Sequence, residues 1–294
     1  MARVVFLVAL LCIVSRPVRA QAPQGTERDS LRTHVLRTRD GSTLIGRIVA
    51  ESADTVRFES NGALLAIARS QIADLRTIEP GQLRQGEYWF PDPNRTRLFF
   101  APTARMLAQG EGYFSDSYLL LLTVAGGVTS RFTMGGGLSI IPSTNPQNNI
   151  FYLTPKVGLI EEPHFGLAAG ALVGFAGFEG IEDKDRSFGI LYGVGSVGSS
   201  DDHLDFGAGW GYAGGRVSGD PAIMIGGATR VSRRVSLLTE NYFVPSVSDN
   251  ALVSYGLRFF GEKLSVDLAF ANAVGPHTTF LFPGVPYIAF ALKF

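Results

Sequence analysis

The sequence predicts an all-β chain: an antiparallel transmembrane β-barrel of about 12 strands, with 10–14 as the range that boundaries read from sequence allow, preceded by a small five-stranded β module. Three observations predict it. No apolar run of helix-spanning length follows residue 20. The chain carries 35 Gly and 21 Phe, the profile of short turns and aromatic-rich strands. Its final stretch, Ile288 to Phe294, sets large apolar side chains at every second position and stops on an aromatic, which suits a strand with one face in lipid and one in a lumen.

The elements follow in order. Residues 1–20 read as a secretory signal, with Arg3, the apolar run Val4 to Val14 and the cleavage site Val18-Arg19-Ala20 before Gln21. The run is shorter than the ~20 residues of a spanning helix. Leu11 before Cys12 does not suit a lipid-anchor signal. Cys12 is the single cysteine, so the exported chain has no thiol for a disulfide, a zinc site or a nucleophile. Balanced charge, 26 basic against 26 acidic residues, excludes a nucleic-acid binder.

Residues 33–78 read as a separate five-stranded module. Asp40-Gly41 and Asn61-Gly62 are hairpin turns between short apolar runs. The run DGSTLIGRIV…DTVRF…NGALLAI resembles SH3-like and Sm-like β modules, which implies a structural or docking role in the periplasm, with peptidoglycan or a periplasmic protein as partner. Residues 79–96, with three prolines and no alternation, read as a linker. The remainder, 97–294, divides into segments of about ten residues, the length of a tilted spanning strand. The expected spans are 97–106, 116–128, 131–141, 150–160, 164–176, 187–198, 203–213, 221–231, 234–244, 250–260, 263–273 and 285–294. Short joins alternate with longer ones, the asymmetry of periplasmic turns and extracellular loops.

This alternation, the turn asymmetry and the terminal Ile288, Phe290, Leu292 and Phe294 resemble bacterial outer-membrane β-barrel proteins of the porin-like class. The resemblance covers residues 97–294. It implies an outer-membrane location, contact with lipid and lipopolysaccharide, insertion by the barrel-assembly machinery through the C-terminal strand, and a periplasmic position for the module.

Strand parity places Lys156, Asp205, Glu240, Arg258, Asp267 and Lys293 on the lumenal face. Glu240 and Arg258, on neighbouring strands, are expected to pair, either stiffening the wall or selecting solutes by charge. Gly193-Val194-Gly195-Ser196-Val197-Gly198 matches a dinucleotide pattern, but no helix follows the glycines. Glu179, Glu182, Asp183 and Asp185 read as a solvated loop. No histidine stands beside a serine in a lipid-hydrolase spacing; His277-Thr278-Thr279 comes nearest. No cofactor and no metal are expected. The expected function is a passive pore or a structural envelope component. The alternatives are a binding or adhesion protein with a closed lumen and, less favoured, an outer-membrane lipid hydrolase.

Overall fold

The computed structural model describes residues 32–78, 81–140, 149–176, 187–245, 247–276, 278–279 and 281–294. The signal segment 1–20, the loop carboxylates Glu179, Glu182, Asp183 and Asp185, and His277 lie outside the described residues. The chain divides into two compact units, Met1–Tyr88 and Trp89–Phe294.

In the first unit, β1 (His34–Thr38), β2 (Thr43–Glu51), β3 (Thr55–Ser60), β4 (Ala63–Ala68) and β5 (Ile72–Thr77) form one antiparallel sheet in the order β4-β3-β2-β1-β5. Alternation turns Leu36, Ile48, Val56, Phe58 and Ile67 onto a shared core. Asn61 and Gly62 take left-handed φ values of 50° and 77°, as a two-residue hairpin requires. At the first turn the Thr38 hydroxyl, then the Ser42 amide, bonds Asp40 and holds its carboxyl below the usual range. Two short strands, β6 (Leu83–Arg84) and β7 (Glu87–Tyr88), pair within the stretch expected as a linker.

The second unit contains β8 (Gly112–Ser117), β9 (Leu121–Thr129), β10 (Phe132–Ser139), β11 (Ile150–Leu153), β12 (Lys156–Glu162), β13 (Phe165–Ala176), β14 (Ser187–Gly198), β15 (Asp202–Ala213), β16 (Arg216–Val217), β17 (Ala222–Ser232), β18 (Val235–Phe243), β19 (Ala251–Phe260), β20 (Leu264–Val274) and β21 (Val285–Lys293). Each pairs antiparallel with its neighbour, and β21 returns to β8, so the sheet closes. β11 and β12 lie one after the other between β10 and β13, and β16 pairs only with β15. The wall is therefore a closed barrel of 12 strands. Closure leaves no unpaired edge, the condition for strands in hydrocarbon. Outward positions carry Leu191, Phe206, Trp210, Ile225, Ile288 and Phe294, all exposed.

The strand count agrees with expectation, but its first members do not. Residues 97–106 are not a wall strand, and the span 116–128 is two strands folded at Tyr118 and Leu119, whose φ values are 60° and 61°. The segment Leu98-Phe99-Phe100 breaks strict alternation, and Pro102 lacks the N–H that a central strand must donate. The linker expectation for 79–96 also changes at its end, because Trp89 onward belongs to the barrel unit.

The turns after β9, β12, β14, β17 and β19 gather at one end of the barrel beside Phe294, whose N–H bonds the Gly112 carbonyl at 2.9 Å. The ends of β10, β13, β15, β18 and β20 gather at the other. These are called the short-turn end and the loop end below.

Candidate functional site

Residues 90–108 run inside the barrel as a hairpin. It climbs from the short-turn end, reverses at Phe99 and Phe100, and descends again. Leu98 N–H bonds the Ala101 carbonyl at 2.8 Å, and Thr103 N–H bonds the Thr96 carbonyl at 3.0 Å. Its apolar side chains Leu98, Phe99, Ala104 and Met106 form one buried cluster with the wall residues Ala168, Val194, Met224, Leu238, Ala269 and Tyr287. Gly226 is needed for this approach, since a Cβ there would stand 2.5 Å from Leu98 Cδ1.

A hairpin enclosed by a barrel has few sheet partners, so its backbone must be satisfied by side chains. The wall supplies them with matching sign. Glu240 accepts the N–H groups of Phe99 (2.8 Å), Phe100 (3.0 Å) and Ala101 (3.1 Å), and the Tyr242 hydroxyl donates to the same carboxylate at 2.8 Å. Lys156 Nζ donates to the carbonyls of Thr96 (3.4 Å), Thr103 (3.1 Å) and Arg105 (2.7 Å). Arg258 donates to the carbonyls of Asn94 (3.0 Å), Arg97 (3.2 Å) and Leu98 (2.8 Å). An acid thus serves donors, and two bases serve acceptors.

Arg258 is also paired with Asp267 at 2.7 Å and with Asp92 of the hairpin at 3.0 Å. The expected Glu240–Arg258 pair is not formed. Both side chains face inward, but Ser236 stands opposite Arg258 and Ser254 opposite Glu240, so the two groups lie at different heights. Asp205 accepts from Ser196 and bonds His203 Nδ1 at 2.7 Å, while Ser196 Oγ accepts the Ala104 N–H at 2.8 Å. Lys293 pairs with Glu111 at the short-turn end. Of the six residues expected in the lumen, Lys156, Asp205, Glu240, Arg258 and Asp267 are buried and Lys293 is half-buried.

Several residues that sequence reasoning missed share this work. Arg230 donates to the Phe90 carbonyl at 2.9 Å and pairs with Asp201 at 3.0 Å, with its guanidinium 4.9 Å from the ring centroids of Trp89 and Phe260. Arg105 reaches from the hairpin to the carbonyls of Gly198 (2.8 Å) and Ser199 (2.6 Å). Burial works to raise the Glu111 carboxyl, but Arg95 at 2.9 Å and Lys293 outweigh it and bring the pKa down to about 2. The available signal was the departure from alternation in a stretch rich in both Arg and aromatic residues.

Beyond the hairpin tip, toward the loop end, lies a cavity of about 440 Å³. Leu121, Ile150, Leu172, Phe188, Ile190 and Met224 line its walls, and Thr96, Arg97 and Phe100 of the hairpin form its floor. No group of His, Cys, Asp and Glu able to hold a metal occurs among the described residues.

A closed antiparallel barrel with an apolar outer face, short turns at one end and longer connections at the other is an outer-membrane β-barrel protein. No family model matches the chain, and no curated protein matches it significantly. Among solved structures it is similar to the NanC porin, at 7% identity and a TM-score of 0.39, over 62% of this chain and 97% of that one. Salmonella typhi OmpF in complex with daunomycin matches at 9% identity and a TM-score of 0.33, over 89% and 95% of the two chains. OmpT, an outer membrane protein of Vibrio cholerae, in its loop L8 deletion mutant, matches at 12% identity and a TM-score of 0.32, over 90% and 97%. Likeness at this level carries no functional argument; the class rests on the closed sheet and its apolar exterior.

Proposed function

We propose that this outer-membrane barrel is a binding protein with a closed lumen, in preference to a passive pore. The observation that supports the reading is the hairpin 90–108, tied to the wall by Glu240, Lys156 and Arg258 through buried hydrogen bonds to its backbone. Hydrogen bonds to charged groups contribute about 1.5–3 kcal/mol each. A set of them makes spontaneous withdrawal of the hairpin rare. Planar-bilayer recording of the folded full-length protein is expected to be silent, and steady single-channel steps would overturn the reading.

The protein is not an enzyme on this reading. Ser196 and His203 both bond Asp205, so the histidine is not placed to take a proton from the serine. The module 33–78 belongs to the periplasmic side and docks to peptidoglycan or a periplasmic protein. Its five-strand order and single 3-10 link suit an SH3-like arrangement. Protease added to intact cells is expected to leave it uncut, and cleavage there would reverse the sidedness. Ile288, Phe290, Leu292 and Phe294 meet lipid and serve the assembly machinery.

A further inference from the structure

We infer that the cavity above the hairpin is a binding site for a single-chain amphiphile with an anionic head, of which a fatty carboxylate is the simplest case. Three observations carry it. The volume, about 440 Å³, falls within the range of ligand pockets, and its walls are chiefly aliphatic and aromatic side chains. The lining includes two basic residues, Arg97 and Lys156, and no acidic one among the described residues. Finally, Arg97 is an uncompensated cation.

Its single hydrogen bond runs from Nε to Asn94 Oδ1 at 3.1 Å; among the described residues it has no carboxylate partner, and its buried Nη2 has no acceptor. The face of Tyr113, 5.8 Å away, is its other neighbour of suitable sign. Every other arginine or lysine described above in the lumen has a carboxylate or carbonyl within reach. A charge held against an apolar cavity is costly unless paired, and an arriving anion pairs it.

The polar groups are grouped at the floor. Lys156 holds the carbonyl of Thr96, the residue before Arg97, and Thr133 stands directly across from Lys156 on the neighbouring strand. Thr133 Oγ1 is also buried without a partner. A head group seated on Arg97 lies in the same cavity as the Thr133 hydroxyl, an unused donor, while the chain extends along Ile190, Phe188 and Leu172 toward the loop end. The cavity also reaches Ser117 and Leu121, which flank the tip of the short β8–β9 hairpin. There β8 ends opposite Ala289, whereas β20 continues beside β21 to Val285, so the wall is lower at that point.

The test is photo-crosslinking with a diazirine-bearing dodecanoate on the full-length protein in nanodiscs, with cross-links mapped by mass spectrometry. Labelling of Ile190, Met224 or Leu172, displaced by unlabelled dodecanoate and not by dodecyltrimethylammonium, is the expected result. Arg97→Gln weakens displacement about ten- to hundredfold, the loss of one charge-assisted hydrogen bond, and Arg97→Lys restores most of it. Competition by a lauroyl lysophospholipid, compared with dodecanoate, separates a membrane-lipid source from a free fatty acid. Labels confined to outward residues such as Leu191 and Ile225, equal displacement by the cationic amphiphile, or an unchanged Arg97→Gln would overturn the site. Conductance measured on the same preparation keeps the two readings apart: a silent barrel without lumenal labels defeats the ligand alone, and a conducting barrel with lumenal labels defeats closure alone.

Discussion

Toward the short-turn end the lumen is charged and full, whereas toward the loop end it is apolar and hollow. In the first region Lys156, Asp205, Arg258 and Asp267 are buried against a hairpin whose backbone has few partners of its own. In the second, Ile150, Phe188 and Ile190 surround open volume. The difference shows what the lumenal charges are for. They stand where irregular backbone needs donors and acceptors, and they stop where that backbone stops. Charge selection of a passing solute would call instead for several charges facing open space, whereas Arg97 at the cavity floor is the exception and Lys156 beside it is spent on hairpin carbonyls.

The comparison is broken most forcefully by removing a charge from the filled region. Arg258→Leu leaves Asp92, Asp267 and three carbonyls without their shared donor, and is expected to cost about 3–5 kcal/mol in urea unfolding of the lipid-inserted barrel. A paired truncation sharpens it. Leu98→Ala, in the packed cluster, should cost about 2–5 kcal/mol, while Ile190→Ala, beside the cavity, should cost less than about 1 kcal/mol because it forfeits few contacts. Equal losses at the two sites would erase the distinction. Glu240→Gln keeps the volume and one acceptor oxygen for the three N–H groups, but removes the charge and sets an amide donor against the Tyr242 hydroxyl, and should cost about 1–3 kcal/mol in the same assay.

A small effect, of the order of the Ile190 truncation, is a pH dependence at the base of the hairpin. With its pKa held at about 2, below the 4.5 usual for a glutamate, Glu111 binds a proton more weakly folded than unfolded. Its stabilisation is therefore fully present above about pH 4.5 and lost as pH falls through about 2. Solvent screening limits it to about 1 kcal/mol. Unfolding midpoints measured across that window should fall, and Glu111→Gln should remove this part of the slope.

Much of the wall was legible because alternation is a local property. Leu264, Val266, Leu268 and Phe270 face out and Asp267 faces in whatever the register, so face could be read from parity. Height could not. The partner of Arg258 depends on which residue of β18 lies opposite, and a shift of four residues replaces Glu240 with Ser236. The hairpin was misread for a related reason: residues 97–106 have the length and apolarity of a strand, and their place inside the barrel is decided by distant side chains. Tyr118 and Leu119 carry none of the usual chemistry of a left-handed turn, so one apparent strand hid two.

The seating of the hairpin on the wall can be tested by one disulfide. The mature chain is expected to lack cysteine, and a Cβ built at Gly166 of β13 stands 3.1 Å from Ala104 Cβ of the hairpin, a few tenths of an ångström short of the roughly 3.5–4.5 Å of a disulfide, a gap that a small relaxation of the hairpin supplies. In the Ala104→Cys, Gly166→Cys double variant, folded in membranes and mildly oxidised, the bond is expected to form in nearly every molecule and to protect both thiols from maleimide. Two free, reactive thiols in a correctly folded barrel would place the hairpin elsewhere and contradict a lumen closed by residues 90–108.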